Sequence, residues 1–203
     1  MRSALALAVA WLITVAYAGA QSTGKPTELA PRQFPAFREI GAFYFEGLEE
    51  TQVWVNLEPA HVEGAPDPII FNVTVKFPGT RLGREPATVQ FRPQVRCIPQ
   101  VYPTRARLPV FKLTIDSTPM IDLSPDGTTS FFLPSCGGVN NPEVNQTWDT
   151  VSTMVPFATL RRMASAKAVI VDAIGFTVRL TPEDFAALNA LIKTVEHGVT
   201  VKK

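Results

Sequence analysis

Apolar and polar residues alternate with a period of two in four separate segments of this chain, and this periodicity constrains the fold more than any other feature. The alternating segments are residues 52–58, 70–77, 88–97 and 110–116. In the second of them the apolar positions are Phe71, Val73, Val75 and Phe77. Because successive side chains of a β-strand lie on opposite faces of a sheet, each segment is typical of a strand with one buried face. The pattern predicts an antiparallel β-sandwich-like domain of about seven to nine strands.

Pro93 interrupts the third alternating segment. It falls on the apolar phase of the pattern, and proline has no backbone N–H to donate to a neighbouring strand. We therefore expect this strand to lie at a sheet edge or to be broken by a bulge at Pro93.

The C-terminal part of the chain changes to helical spacing. Thr181, Pro182 and Asp184 supply a capping hydroxyl, a proline at the first helical position and an acid in the first turn, which together favour a helix start. Gly198 provides the stop, so we predict a helix from residue 182 to about residue 197. The fold class is therefore mainly β to α+β, with this C-terminal α-helix packed on one face of the sandwich.

Changes in composition divide the sequence into five parts. We expect a signal peptide in residues 1–20, a flexible lead-in in 21–36, the sandwich core in 37–134, a long loop in 135–150, and in 151–203 a helix, a β-hairpin and the C-terminal helix completing the same domain.

The first part has the order of a secretory leader. Arg2 precedes an uncharged apolar run, and small residues end it at Ala18-Gly19-Ala20, which favours cleavage after Ala20 over a retained membrane anchor. The expected location is periplasmic or extracellular, without a stable membrane span once the leader is removed.

The two cysteines of the chain are Cys97 and Cys136. Since an exported chain meets an oxidising compartment, we expect them to form one disulfide bond. A catalytic thiol is the alternative, and it would need a histidine within hydrogen-bond reach. The chain contains only His61 and His197.

The charges balance over the whole chain but not along it. Lysines and arginines number 19 and acids 18, which argues against nucleic acid as a partner. Residues 38–67 hold seven acids and one arginine, whereas 76–107 hold seven bases and one acid. Either the two segments pair across a sheet, or the basic one forms an anion-binding face. The candidate anion-binding residues are Arg92, Arg96, Arg105 and Arg107.

Two tryptophans are candidates for an exposed aromatic platform. Trp54 falls on the phase opposite to Val53 and Val55, so it faces away from the main apolar side of its strand. It is either covered by another element or available to a sugar ring or a partner. Trp148 lies in the expected 135–150 loop, where we expect it to be exposed.

No complete catalytic motif is present in the sequence. His61-Val62-Glu63 lacks the P-C-x-x-C half of a zinc deaminase motif, and Asp116-Ser117-Thr118 lacks the glycine of an aspartic protease motif. We assign no catalytic residue, no metal and no cofactor. The sequence favours a non-enzymatic binding or structural module, with an envelope protein or a polyanionic glycan as the candidate partner. The alternative is a secreted hydrolase with a site near Asp116–Asp126 and the 135–149 loop.

The stretch FATLRRMASAKAVIVDAIGFTVRLTPEDFAALNALI, from Phe157 to Ile192, resembles the helix, strand-pair and helix ending of exported bacterial proteins of unknown function. The resemblance covers only the C-terminal part of the chain, and its motif is a capped helix after a strand. It implies an exported bacterial origin and assigns no catalytic residue.

Overall fold

A computed structural model describes residues 26–61, 69–83, 85–96, 111–123, 148–150, 152–173 and 176–202. Within them, fourteen strands form three sheets, together with two α-helices. The mainly β to α+β class is confirmed. More strands are present than the expected seven to nine, because several contain only two or three residues and are too short to show a period.

The strands are β1 (Thr27–Leu29), β2 (Ile40–Phe45), β3 (Glu50–Leu57), β4 (Ala60–His61), β5 (Ile69–Pro78), β6 (Arg81–Leu82), β7 (Thr88–Arg96), β8 (Phe111–Ile115), β9 (Thr118–Leu123), β10 (Trp148–Thr150), β11 (Thr153–Pro156), β12 (Val169–Ala173), β13 (Phe176–Arg179) and β14 (Val199–Val201). The helices are α1 (Phe157–Ala164) and α2 (Pro182–Glu196), and a 3-10 turn, Glu46–Leu48, follows β2. Neither α-helix in these residues is long and apolar enough to cross a membrane.

Three sheets organise these strands. The central sheet has the order β10-β7-β5-β3-β2, with β11 also paired to β7, and it is antiparallel throughout. The second sheet has the order β4-β13-β12-β8-β9. The third sheet, β1-β14-β6, pairs β1 with β14 in parallel. Strand structure thus begins at Thr27, inside the segment expected to be a flexible lead-in.

The apolar phase of the alternating segments forms the core. Val53, Val55 and Leu57 of β3 are fully buried. Phe71 and Phe91 of the central sheet lie 5.3 Å apart between ring centroids, and each is 6.4 Å from Phe111 of the second sheet. These aromatic contacts join the inner faces of the two sheets. The polar phase of β3, β5 and β7 consequently lies on the other side of the central sheet, which we call the outer face.

Strand β7 is an interior strand, so the expectation that it lies at a sheet edge is wrong. It pairs with β5 on one side and with β10 and β11 on the other. The β10 ladder covers Gln94 to Arg96 and the β11 ladder covers Thr88 to Phe91. Pro93 lies between these two ladders, where its missing N–H interrupts pairing on one side while the β5 ladder continues.

Helix α2 begins and ends where the sequence predicts. The Thr181 hydroxyl accepts a hydrogen bond from the Asp184 N–H at 3.2 Å, and the Asp184 carboxylate accepts one from the Thr181 N–H at 3.0 Å. This reciprocal capping box fixes the first turn. Gly198 follows the helix with a φ of 80°, a conformation that glycine adopts without steric cost.

Asp184 also anchors the helix to the central sheet. Its side chain is fully buried, and its Oδ1 accepts hydrogen bonds from Arg38 Nε at 3.0 Å and from the Glu58 N–H at 3.1 Å. Arg38 precedes β2 and Glu58 follows β3. One carboxylate therefore joins the start of α2 to the ends of two strands.

Candidate functional site

The outer face of the central sheet carries a continuous patch of mostly polar side chains. Its members come from alternate positions of three neighbouring strands: Gln52, Trp54 and Asn56 of β3, Asn72, Thr74 and Lys76 of β5, and Gln90, Arg92 and Gln94 of β7. Backbone register places Trp54, Thr74 and Gln90 side by side. The next row along the strands contains Asn56, Asn72 and Arg92.

Amide and hydroxyl groups connect the first two strands of this face. Asn72 Nδ2 donates a hydrogen bond to Asn56 Oδ1 at 2.9 Å, and the Thr74 hydroxyl donates one to Asn72 Oδ1. Asn72 and Thr74 are both buried. Because buried polar groups without partners are costly, these bonds hold the side chains in fixed orientations.

A second set of bonds positions Arg92. Arg92 Nη2 donates to Gln90 Oε1 at 3.0 Å, and Gln90 Nε2 donates to the Ser152 hydroxyl. Gln90 and Ser152 are buried, whereas Arg92 is only partly so. Burial lowers the pKa of the Arg92 guanidinium from its ordinary value, because a charged group is less stable away from water. Arginine nevertheless stays protonated at neutral pH.

Arg92 has no acidic counterpart among the side chains that the structure describes. Their ion pairs are Arg32–Glu39, Arg38–Glu58, Arg38–Asp184, Arg161–Glu85, Arg161–Glu196 and Lys202–Glu28. None of these pairs joins the acidic segment 38–67 to the basic segment 76–107. Strand β5 separates β3 from β7, so Arg92 does not lie on the strand next to β3. Only the start of the basic segment, at Lys76 of β5, pairs with β3.

Trp54 lies half-buried at the β2 side of the outer face. It is the cross-strand partner of Gly41, and a Cβ atom at Gly41 would lie 2.6 Å from Trp54 Cε2 and 2.8 Å from Pro35 Cγ. The indole therefore fills the space that Gly41 leaves open, as aromatic residues do beside strand glycines. The partial exposure of Trp54 leaves its role as an aromatic platform a prediction.

Backbone register also locates two further candidate residues in the central sheet. Arg96 lies four residues beyond Arg92 on β7, and Trp148 on β10 is its cross-strand partner. The prediction that Trp148 lies in a loop is wrong, because residues 148–150 pair with β7.

The remaining predicted site residues lie outside the described residues. These are Arg105 and Arg107 of the anion-binding set, and Cys97 and Cys136 of the disulfide. Their roles remain predictions.

Asp116 occupies a turn and is not the strand residue that the sequence pattern indicated. Asp116 and Ser117 have φ values of 50° and 62° and connect β8 to β9, as in a type I′ hairpin. Asp116 Oδ1 accepts hydrogen bonds from the N–H groups of Lys167 at 2.8 Å and Ala168 at 3.0 Å. Its carboxylate thus ties the hairpin to the start of β12. Residues 124–126 and 135–147 of the alternative hydrolase site lie outside the described residues.

Replacing Ser117 with glycine is expected to stabilise the protein by about 0.5 to 1 kcal/mol, because glycine adopts a positive φ without the steric cost that serine has. Thermal unfolding checks this. Ser165→Gly is the matched control and should destabilise the protein. Ser165 has a φ of −95°, so glycine relieves no strain there, adds disorder to the unfolded chain and removes the hydrogen bond that the Ser165 hydroxyl donates to the Arg162 carbonyl. Equal changes in stability for the two substitutions would contradict the prediction that Ser117 is strained in the turn.

Sequence reasoning missed the buried polar residues Asn72, Thr74, Gln90 and Ser152. Asn72, Thr74 and Gln90 alternate with apolar residues, a pattern that predicts exposure to solvent, and Ser152 lies outside the alternating segments. The available signal was that the alternating segments 52–58, 70–77 and 88–97 all carry amides or hydroxyls at the polar positions of their pattern.

Comparisons with protein-family models, curated proteins and solved structures find no match for this chain. The case for a function therefore depends on the outer face itself.

Proposed function

We propose that this chain is an exported, non-enzymatic binding module of the cell envelope or extracellular space, and that it binds a polyanionic glycan on the outer face of the central sheet. The observation that carries the proposal is the placement of Arg92, which Gln90 orients and which forms no ion pair with a described carboxylate. An envelope protein is the alternative partner. Export is supported by the leader-like pattern of residues 1–20.

The chemistry of the outer face suits an acidic sugar chain. A guanidinium can donate two parallel hydrogen bonds to a carboxylate or sulfate. Amide side chains such as Asn56 donate to and accept from hydroxyl groups, and the indole of Trp54 offers an apolar surface to a sugar ring. Side chains held by their neighbours lose little entropy when a ligand binds.

We expect the protein to be retained on a heparin column at low ionic strength and to elute as salt screens the charges. Arg92→Ser should weaken heparin binding roughly tenfold, because a charge-assisted hydrogen bond contributes about 1.5 kcal/mol or more. The double substitution Arg92→Ser, Arg96→Ser should abolish retention. Titration calorimetry with a heparin oligosaccharide measures the affinities.

Arg179→Ser serves as the control for this experiment. It removes the same charge from an exposed position on β13, in the second sheet. If the wild-type protein is not retained at low salt, or if Arg179→Ser weakens binding as much as Arg92→Ser, the outer face is not a polyanion site.

A further inference from the structure

A second surface, at the opposite edge of the central sheet from β10, has a different chemical character. A groove of about 430 Å³ runs between the end of β2 with its 3-10 turn and the residues just after β1 and β14 of the third sheet. It is lined by Pro31, Phe43, Tyr44, Phe45, Glu46, Gly47, Leu48 and Lys202. We call it the β2 groove.

Apolar side chains of the β2 groove remain accessible to solvent. Phe43 and Phe45 lie on one side of β2, with ring centroids 5.0 Å apart in an edge-to-face arrangement, and both are half-buried. Leu48, in the 3-10 turn, is 69% exposed. Contiguous exposed apolar groups on a soluble protein mark surfaces that bind a partner.

The β2 groove carries one acid that has no ion-pair partner among the described residues. Glu46 lines the groove and takes part in none of the ion pairs found there. Lys202, the base among the described lining residues, is already paired with Glu28 at 3.1 Å. The uncompensated charge at this surface is therefore negative, which favours a cationic partner over an anionic lipid surface.

We propose that the β2 groove binds a short peptide segment of a partner protein in which an apolar side chain stands next to lysine or arginine. The apolar side chain packs against Phe45 and Leu48, and the cation lies near the Glu46 carboxylate. A cation close to the face of a phenylalanine gains a further attraction from the ring. Backbone register places Phe43 beside Gln52 and Phe45 beside Glu50, so the β2 groove adjoins the outer face at the edge away from β7. The inference does not rest on the polyanion site, because its ligand has the opposite charge and contacts neither Arg92 nor Trp54.

A labelled synthetic peptide of alternating leucine and lysine tests the proposal by fluorescence anisotropy with the full chain. We expect Leu48→Ser and Glu46→Gln each to weaken its binding by about tenfold, a loss common for central contacts of an interface. The matched controls are Met154→Ser, which removes a 40% exposed apolar side chain from β11, and Glu183→Gln, which removes an exposed acid from α2. Neither should change binding.

Two comparison probes separate the proposed occupant from others. A peptide of alternating leucine and glutamate should bind much more weakly, and vesicles of phosphatidylcholine and phosphatidylglycerol should not bind at the groove. Equal binding of both peptides, loss of binding in the control variants, vesicle binding that depends on Leu48, or no binding of the leucine–lysine peptide would each overturn the proposal. Heparin binding by the same variants reports separately on the outer face.

Discussion

Asp184→Ala is expected to lower the free energy of unfolding by about 3 to 5 kcal/mol, the largest effect of any substitution considered for this protein. The substitution removes the fully buried acceptor of the Arg38 guanidinium and of the Glu58 and Thr181 N–H groups. The two backbone N–H groups and the Nε–H of the Arg38 guanidinium are then left without their acceptor. Urea unfolding at neutral pH measures the loss.

Glu183→Ala is the matched control for this prediction, since Glu183 is the adjacent acid in the first turn and is exposed. Glu183→Ala should lower the free energy of unfolding much less than Asp184→Ala does. In a double-mutant cycle, Arg38→Ala combined with Asp184→Ala should cost less than the sum of the single substitutions, because removing Arg38 also removes the unpaired charge. Equal losses for Asp184→Ala and Glu183→Ala would contradict the anchoring role of the buried carboxylate.

Gly41→Ala is expected to destabilise the protein by about 2 kcal/mol, in the range for overpacked sites. In most strands alanine would be the better residue, by about 0.5 to 1 kcal/mol. Here the added Cβ would lie 2.6 Å from Trp54 Cε2 and 2.8 Å from Pro35 Cγ. Steric overlap therefore makes the substitution destabilising. Thermal and urea unfolding provide the measurement.

Two further variants test whether overlap with the indole is the cause. Gly47→Ala should have little effect, because no atom lies within 4 Å of a Cβ placed there. In a Trp54→Leu background the cost of Gly41→Ala should fall, although only in part, since Pro35 remains. If the cost is the same in both backgrounds, Trp54 does not limit the space at Gly41.

Much of the fold could be predicted from periodicity and capping. The alternating segments correspond to β3, β5, β7 and β8, and the apolar residues of these strands whose burial is described are buried. The cap at Thr181 located α2 because it depends on adjacent residues alone. The position of β7 was not predictable, because Pro93 interrupts pairing on only one side, and a sequence pattern does not show which strands lie on either side.

The candidate site was only partly predictable for a related reason. Alternation indicates which face of a strand a residue occupies, but not which residues of other strands lie beside it. Arg92 and Trp54 were singled out individually, whereas the bonds from Arg92 to Gln90 and from Gln90 to Ser152 depend on a register between distant segments. The sequence predicts Trp148 in a loop because composition alone does not reveal a three-residue strand.

The parallel pairing of β1 with β14 affects how this chain can reach its folded state. Residues 27–29 obtain their strand partner from residues 199–201, so nearly the whole sequence separates the two sides of one ladder. Contacts between such distant residues form slowly, because a long loop must close before they add stability. During synthesis from the N-terminus, β1 therefore cannot pair with β14 until residues 199–201 have emerged from the ribosome.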